Sequence, residues 1–185
     1  DAIKRTNKTT MAVIREVGAS GGYWVASSTD FIMANELSVT GSIGVIASYL
    51  EYTGLFDKYG VNYRRLVSGK YKDIGTPFRE MSEEEEALFQ KQLDTIHSYF
   101  ISEIVENREL SQEDVEELAT GMIFLGTEAK DLGLVDYLGD LETAKEFLQD
   151  ALNLTKVDYV TYEKELSFFQ SLSRIFHRFS FNLGQ

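Results

Sequence analysis

The sequence contains no cysteine, which removes disulfides, thiol catalysis and cysteine-ligated zinc and leaves the compartment undecided. Histidine is nearly absent: only His97 and His177 are present, so a hydroxyl nucleophile would have few imidazole bases to draw on. Cations are scarce as well. Eighteen Lys and Arg face 30 Asp and Glu, for a net charge of −12, the opposite of the clustered positive charge that neutralises phosphates, so nucleic acid is excluded as a partner. No apolar run reaches the roughly 18–20 residues that span a bilayer, and no signal peptide is visible. Neither G-x-x-x-x-G-K-S/T nor G-x-G-x-x-G occurs, so phosphate-loop and dinucleotide sites are not expected. The consecutive acids Glu83 to Glu86 do not converge on an ion and read as a solvated, dipole-favourable helix start. With no paired histidines and no suitably spaced carboxylates, neither metal nor cofactor is expected.

What is present suffices for a core. The 185 residues are 43% hydrophobic, with 12 Phe and 10 Tyr, which fits one globular domain or a domain with an appendage. Met11-Ala12-Val13-Ile14 and Phe31-Ile32-Met33-Ala34 are continuous apolar runs of the kind buried parallel strands show. Further strands are expected at Val61–Val67, at 121–125 and at Val157–Tyr162, with short helices at Gly22–Ser28, Tyr49–Tyr59 and Thr127–Leu132. The clearest helix opens at Ser82, which forms a capping box with Glu85. Its apolar positions Phe89, Leu93, Ile96, Phe100 and Ile104 recur at helical spacing and are expected to face the core. Another helix opens at Ser111 with Asp114, and Leu141–Leu152 reads as a third amphipathic one. Strands alternating with helices indicate an α/β fold with a largely parallel sheet. Residues 1–162 are expected to form the domain, and 163–185 an aromatic, amphipathic tail carrying Arg174 and Arg178. That tail could lie on a membrane surface, dock on a neighbouring subunit or pack on its own domain. Asp1 to Thr9 reads as the end of a helix feeding the first strand, so the chain is expected to be part of a longer protein.

The candidate chemistry begins at Gly18-Ala19-Ser20-Gly21-Gly22-Tyr23, directly after the β-like run from Thr10 to Val17. The string satisfies G-x-S-x-G, a sharp glycine-flanked turn that exposes one serine and lets following backbone N–H groups converge on an oxyanion. Small residues also cluster wherever a strand meets a helix tightly, so the string by itself is equally a packing turn. The base is the deciding question. His97 lies in the long helix, where a packing or surface role suits it. His177 satisfies the Ser-acid-His chain order of an α/β-hydrolase, but little chain precedes Ser20 to supply that fold's earlier strands. Lysine is the alternative. It must be neutral to accept a proton, which takes burial or a nearby cation to lower a pKa of about 10.4. Ser68-Gly69-Lys70-Tyr71-Lys72-Asp73-Ile74 offers two lysines, whose ordinary reading is a solvated surface.

Three blocks, in order, resemble the signature blocks of the signal peptide peptidase A (protease IV) family. They are Gly18 to Tyr23, Thr40-Gly41-Ser42-Ile43-Gly44-Val45, and Ser68-Gly69 followed by Lys72-Asp73-Ile74. Pro77 to Ser82 and Gly126 to Gly139 continue the match, so the resemblance runs from about Thr10 to Gly139. It implies a Clp/crotonase-like α/β fold of ββα units, with the N-terminal part of that core absent from this chain. It implies Ser20 as nucleophile, Lys72 as general base, Ser42 as a serine that hydrogen-bonds the lysine, and the Gly21 N–H as an oxyanion donor. For Ser42, a plain turn serine between Gly41 and Gly44 stays open. The second oxyanion donor belongs to an earlier glycine loop that this sequence does not contain. The implied activity is a serine endopeptidase that degrades peptides such as remnant signal peptides through an acyl-enzyme. The implied setting is a homo-oligomer, with serine and lysine from one protomer or from two. The longer protein would be membrane-associated through a segment outside this chain, with an extracytoplasmic catalytic domain, and this fragment would be soluble. Two other classes remain open: a crotonase-fold acyl-CoA enzyme working by enolate stabilisation, and a non-catalytic assembly module.

Overall fold

A computed structural model describes residues 2–162; the expected tail 163–185, His177 included, lies outside the described residues. The chain divides into two compact units, one through Leu148 and one from Gln149.

Two ββα units set the architecture of the first unit. Strand β1 (Met11–Ile14) and strand β2 (Val17–Ala19) are followed by helix α1 (Gly21–Ser27). Strands β3 (Phe31–Ala34) and β4 (Val39–Gly41) repeat the pattern and lead toward helices α2 (Thr53–Tyr59) and α3 (Glu83–Arg108). Helix α4 (Gln112–Leu118), strand β5 (Ile123–Leu125), helix α5 (Gly126–Asp131), strand β6 (Tyr137–Leu138) and helix α6 (Leu141–Ala151) complete the order. Strands β1 to β4 alternate between two three-stranded sheets, β1-β3-β6 and β2-β4-β5, and β5 then pairs with its predecessor β4. This is the α/β architecture of ββα units that the sequence implied. The pairing is largely parallel as expected, but it is divided between two sheets, and β5 runs antiparallel to β4.

The register explains why these short runs hold. Parallel pairing from Met11↔Phe31 to Ile14↔Ala34 satisfies the backbone of two apolar segments that burial would otherwise leave unpaired. Ile32, Ala34, Tyr23, Ile43, Phe100, Ile104, Val115 and Leu134 form the centre of the core. Trp24 stacks on Phe100 at 4.4 Å between ring centroids, and the buried Tyr23 hydroxyl donates to the Leu134 carbonyl at 2.9 Å. Asp136 accepts from the Ile32 N–H at 2.7 Å and from Arg108, tying α3 to β3. Gly126 approaches the Asn35 carbonyl so closely that an added Cβ would lie 2.0 Å from its oxygen, a contact only glycine allows.

Several expected elements differ. Val61–Val67 is not a strand, because no partner ladder reaches it and Leu66 stands almost fully exposed. Residues 157–162 likewise form no strand among the described residues. Residues 2–5 make turns closed by Thr6 N–H on the Ile3 carbonyl, where the end of a helix was expected. In α3 the expected apolar stripe is buried only toward its C-terminal end: Phe100, Ile101 and Ile104 enter the core, whereas Ile96 is 44% exposed. Helical periodicity reports which side of a helix is apolar, and says nothing of how much of its length finds cover.

Candidate active site

Ser20 stands between β2 and α1 with φ 54° and ψ −125°, a left-handed conformation that non-glycine residues rarely adopt. The strain is imposed from both sides. Its N–H donates to the Gly41 carbonyl at 2.7 Å, extending the β2–β4 ladder, while its carbonyl accepts from the Trp24 N–H at 2.9 Å and begins the helix. A residue held by a strand on one side and a helix on the other must turn sharply between them. Ser20 also occupies the N-cap position, where a serine normally caps the helix with its hydroxyl. Here the hydroxyl makes no capping bond, so it is left for other chemistry. Gly21 and Gly22 follow, both exposed, with open space where a Cβ would project.

Ser42 repeats the geometry one strand over. Ala19 pairs with Gly41 as the last registered pair of β2 and β4, so Ser20 and Ser42 leave the ends of adjacent parallel strands side by side. Ser42 also has a positive φ, 51°, and its N–H donates to the Met122 carbonyl at 2.7 Å. Gly41, at φ 71°, sits 2.5 Å by its virtual Cβ from the Phe124 ring, which accounts for glycine there. The two serines are therefore brought together by strand register. A groove of about 590 Å³ runs beside the turn, lined by Gly18, Gly22, Val25 and the edge strands β1 and β2.

Lys72 lies on a different part of the chain, in the turns between α2 and α3, its N–H donating to the Gly69 carbonyl at 3.2 Å. The side chain is exposed and makes no hydrogen bond or ion pair among the described residues; it does not reach Ser20 or Ser42 within the chain. Lys70 differs, since its amine pairs with Glu84 and is pushed above the ordinary lysine value by that bond. His97 is half-buried on α3, with no hydrogen-bond partner for Nε2, and makes no bond to Ser20. No group of three or more His, Cys, Asp or Glu able to hold a metal occurs among the described residues, and no helix there is long and apolar enough to cross a membrane.

Sequence reasoning missed the ion network beneath the lysine turn. Arg65 and Arg79 both bind Asp73, and Arg79 also binds Glu85. The two guanidinium groups hold the Asp73 carboxyl well below its usual range. Hydrogen bonds from Arg79, with help from the Ser82 N–H, bring Glu85 down to about 2. The sequence marked Glu85 as a capping residue and Asp73 as part of a matched block, but neither as an ion-pair partner.

Residues 2–155 match the family described as peptidase family S49. A protein of Methanocaldococcus jannaschii named as a protease is 37% identical over 158 residues, covering 85% of this chain and 51% of that one. One of Enterococcus faecium named as a signal peptide peptidase is 35% identical, covering 91% and 49%. Among solved structures, an enoyl-CoA hydratase/isomerase family protein from Hyphomonas neptunium aligns with a TM-score of 0.46 at 20% identity, covering 82% and 42%. The chain thus spans about half the length of these relatives.

Proposed function

The chain belongs to peptidase family S49, and from that premise we propose that it carries the catalytic serine and lysine of a serine endopeptidase. Ser20 attacks the scissile carbonyl of a peptide, forming the Ser20 Oγ–carbonyl bond. Lys72, as the neutral amine, takes the hydroxyl proton and passes it to the leaving amine. Water then hydrolyses the acyl-enzyme, with Lys72 again holding the proton. The Gly21 N–H donates to the oxyanion, and Ser42 orients the lysine amine. Remnant signal peptides are the substrate class we assign, and the working form is a homo-oligomer, membrane-associated in the longer protein.

The observation that carries this reading is the strained Ser20 turn with its uncapped hydroxyl. A packing turn would have no reason to hold a serine where glycine is cheaper, nor to leave an N-cap serine without its cap. The acyl-CoA alternative uses carboxylate bases, and no acid of the described residues bonds to the serine pair.

In the full-length protein, S20A should abolish peptide cleavage and fluorophosphonate labelling and leave the fold intact. K72A should be nearly as damaging and K70A mild. Labelling that persists at another residue in S20A would overturn the nucleophile assignment, and the reverse lysine ranking would transfer the base to Lys70.

A further inference from the structure

The segment between α2 and α3 that carries Lys72 has no strand or helix of its own from residue 60 to 82. Without a ladder or a helical repeat, its shape must come from side chains. One guanidinium supplies much of it. Arg65 binds both Asp73 carboxylate oxygens at 2.6 Å and also donates to the Lys70 carbonyl at 2.9 Å. Lys72 lies between those two anchored residues. Asp73 is bound in turn by Arg79, through Nε and Nη2 at 3.2 Å each, and Arg79 reaches Glu85 at 2.6 and 2.8 Å. Glu85 belongs to the capping box of α3, accepting from the Ser82 N–H at 3.0 Å. A continuous chain of charged hydrogen bonds therefore runs from the lysine turn to the start of a 26-residue helix.

The members are placed for strength. The Asp73 and Glu85 side chains are only 13% and 7% exposed, so solvent screens these bonds less than surface pairs. Two-pronged arginine–carboxylate contacts fix direction as well as distance, which a lysine ammonium would not. The network also settles which carboxylates are occupied: Asp73 and Glu85 are bound by arginines, and Glu84 by Lys70 and Tyr71. None of these three pairs with Lys72, and a carboxylate partner would hold a lysine protonated.

We propose that Asp73, clamped by Arg65 and Arg79, is the positioning residue for Lys72: it fixes the turn on the α3 N-terminus and leaves the lysine amine free of a carboxylate. The proposal rests on the Ser20/Lys72 reading above. Asp73 touches no substrate; it acts through the lysine, so its loss should show in turnover and not in substrate binding.

The test compares D73N, D73E, R65A and K72A in the full-length protein, reading kcat, KM and melting temperature. D73N and R65A should lower kcat roughly 10- to 100-fold, the scale of a misplaced catalytic group, with KM within about twofold, and D73E should recover part of the loss. K72A with retained activity would remove the Ser/Lys reading and this proposal with it. An inactive K72A beside a D73N of unchanged kcat would overturn the proposal alone. So would parallel losses of kcat, KM and melting temperature, which would make the network merely structural. Should D73N fail to fold, R65A carries the same test, because its side chain is 35% exposed and its removal leaves Asp73 still paired with Arg79.

Discussion

Ser20 keeps φ 54° and ψ −125° although its neighbours on the C-terminal side are glycines that would adopt those angles without strain. A non-glycine residue in such a region costs on the order of 1–3 kcal/mol, and the ladder bond to Gly41 and the helix-starting bond to Trp24 hold it there. S20G should therefore relieve strain, raising unfolding free energy by up to about 1 kcal/mol once glycine's extra chain entropy is subtracted, while removing all activity. S20A keeps the strain and should match the parent within about 0.5 kcal/mol. Chemical denaturation of the three proteins measures the difference. A destabilised S20G would mean that the turn is relaxed and that the serine's conformation is incidental.

Helix α3 depends at its start on Ser82 and Glu85. The Ser82 hydroxyl accepts from the Glu85 N–H while the Glu85 carboxylate accepts from the Ser82 N–H, satisfying two of the donors a helix start leaves unpaired. S82A should cost about 1 kcal/mol in unfolding free energy. The same corner should be acid-labile. Glu85, ordinarily near 4.5, is depressed to about 2, and Asp73 lies well below its own ordinary value. A carboxyl depressed in the folded state stabilises it above the unfolded pKa and loses that contribution as pH falls through the folded one. Melting temperature should therefore decline between about pH 4.5 and 2, and E85Q should flatten the part of that decline that belongs to Glu85. A parent curve level across that window would show that the network contributes nothing to stability.

For the molecule as a whole, the exposed Lys72 and its lack of contact with Ser20 within the chain favour pairing between protomers. A lysine base needs its charge disfavoured by burial or a neighbouring cation, and cover from a second protomer would bury it. Mixing full-length S20A and K72A proteins and allowing subunit exchange tests this. If each site takes its serine from one protomer and its lysine from the next, about one interface in four of a random mixture is complete and activity returns. If both come from one chain, the mixture stays inactive.

The sequence by itself determined the alternation of strands and helices, the Ser20 turn, the α3 capping box and, through three ordered blocks, the family. These are local: apolar runs, glycine placement and cap spacing act within a few residues. Tertiary structure alone decided the rest. It split the strands between two sheets, denied Val61–Val67 a partner, and left half of α3 uncovered, because pairing and burial depend on chain that lies far away in sequence. It also set Ser20 beside Ser42 through a register running from Val17↔Val39 to Ala19↔Gly41. In the sequence Asp73 stands out only within a matched block and Glu85 only as a cap, and nothing links either of them to Arg65 or Arg79. The four become a clamp only where folding places two guanidinium groups around one carboxylate, a convergence of directed hydrogen bonds that no residue spacing encodes.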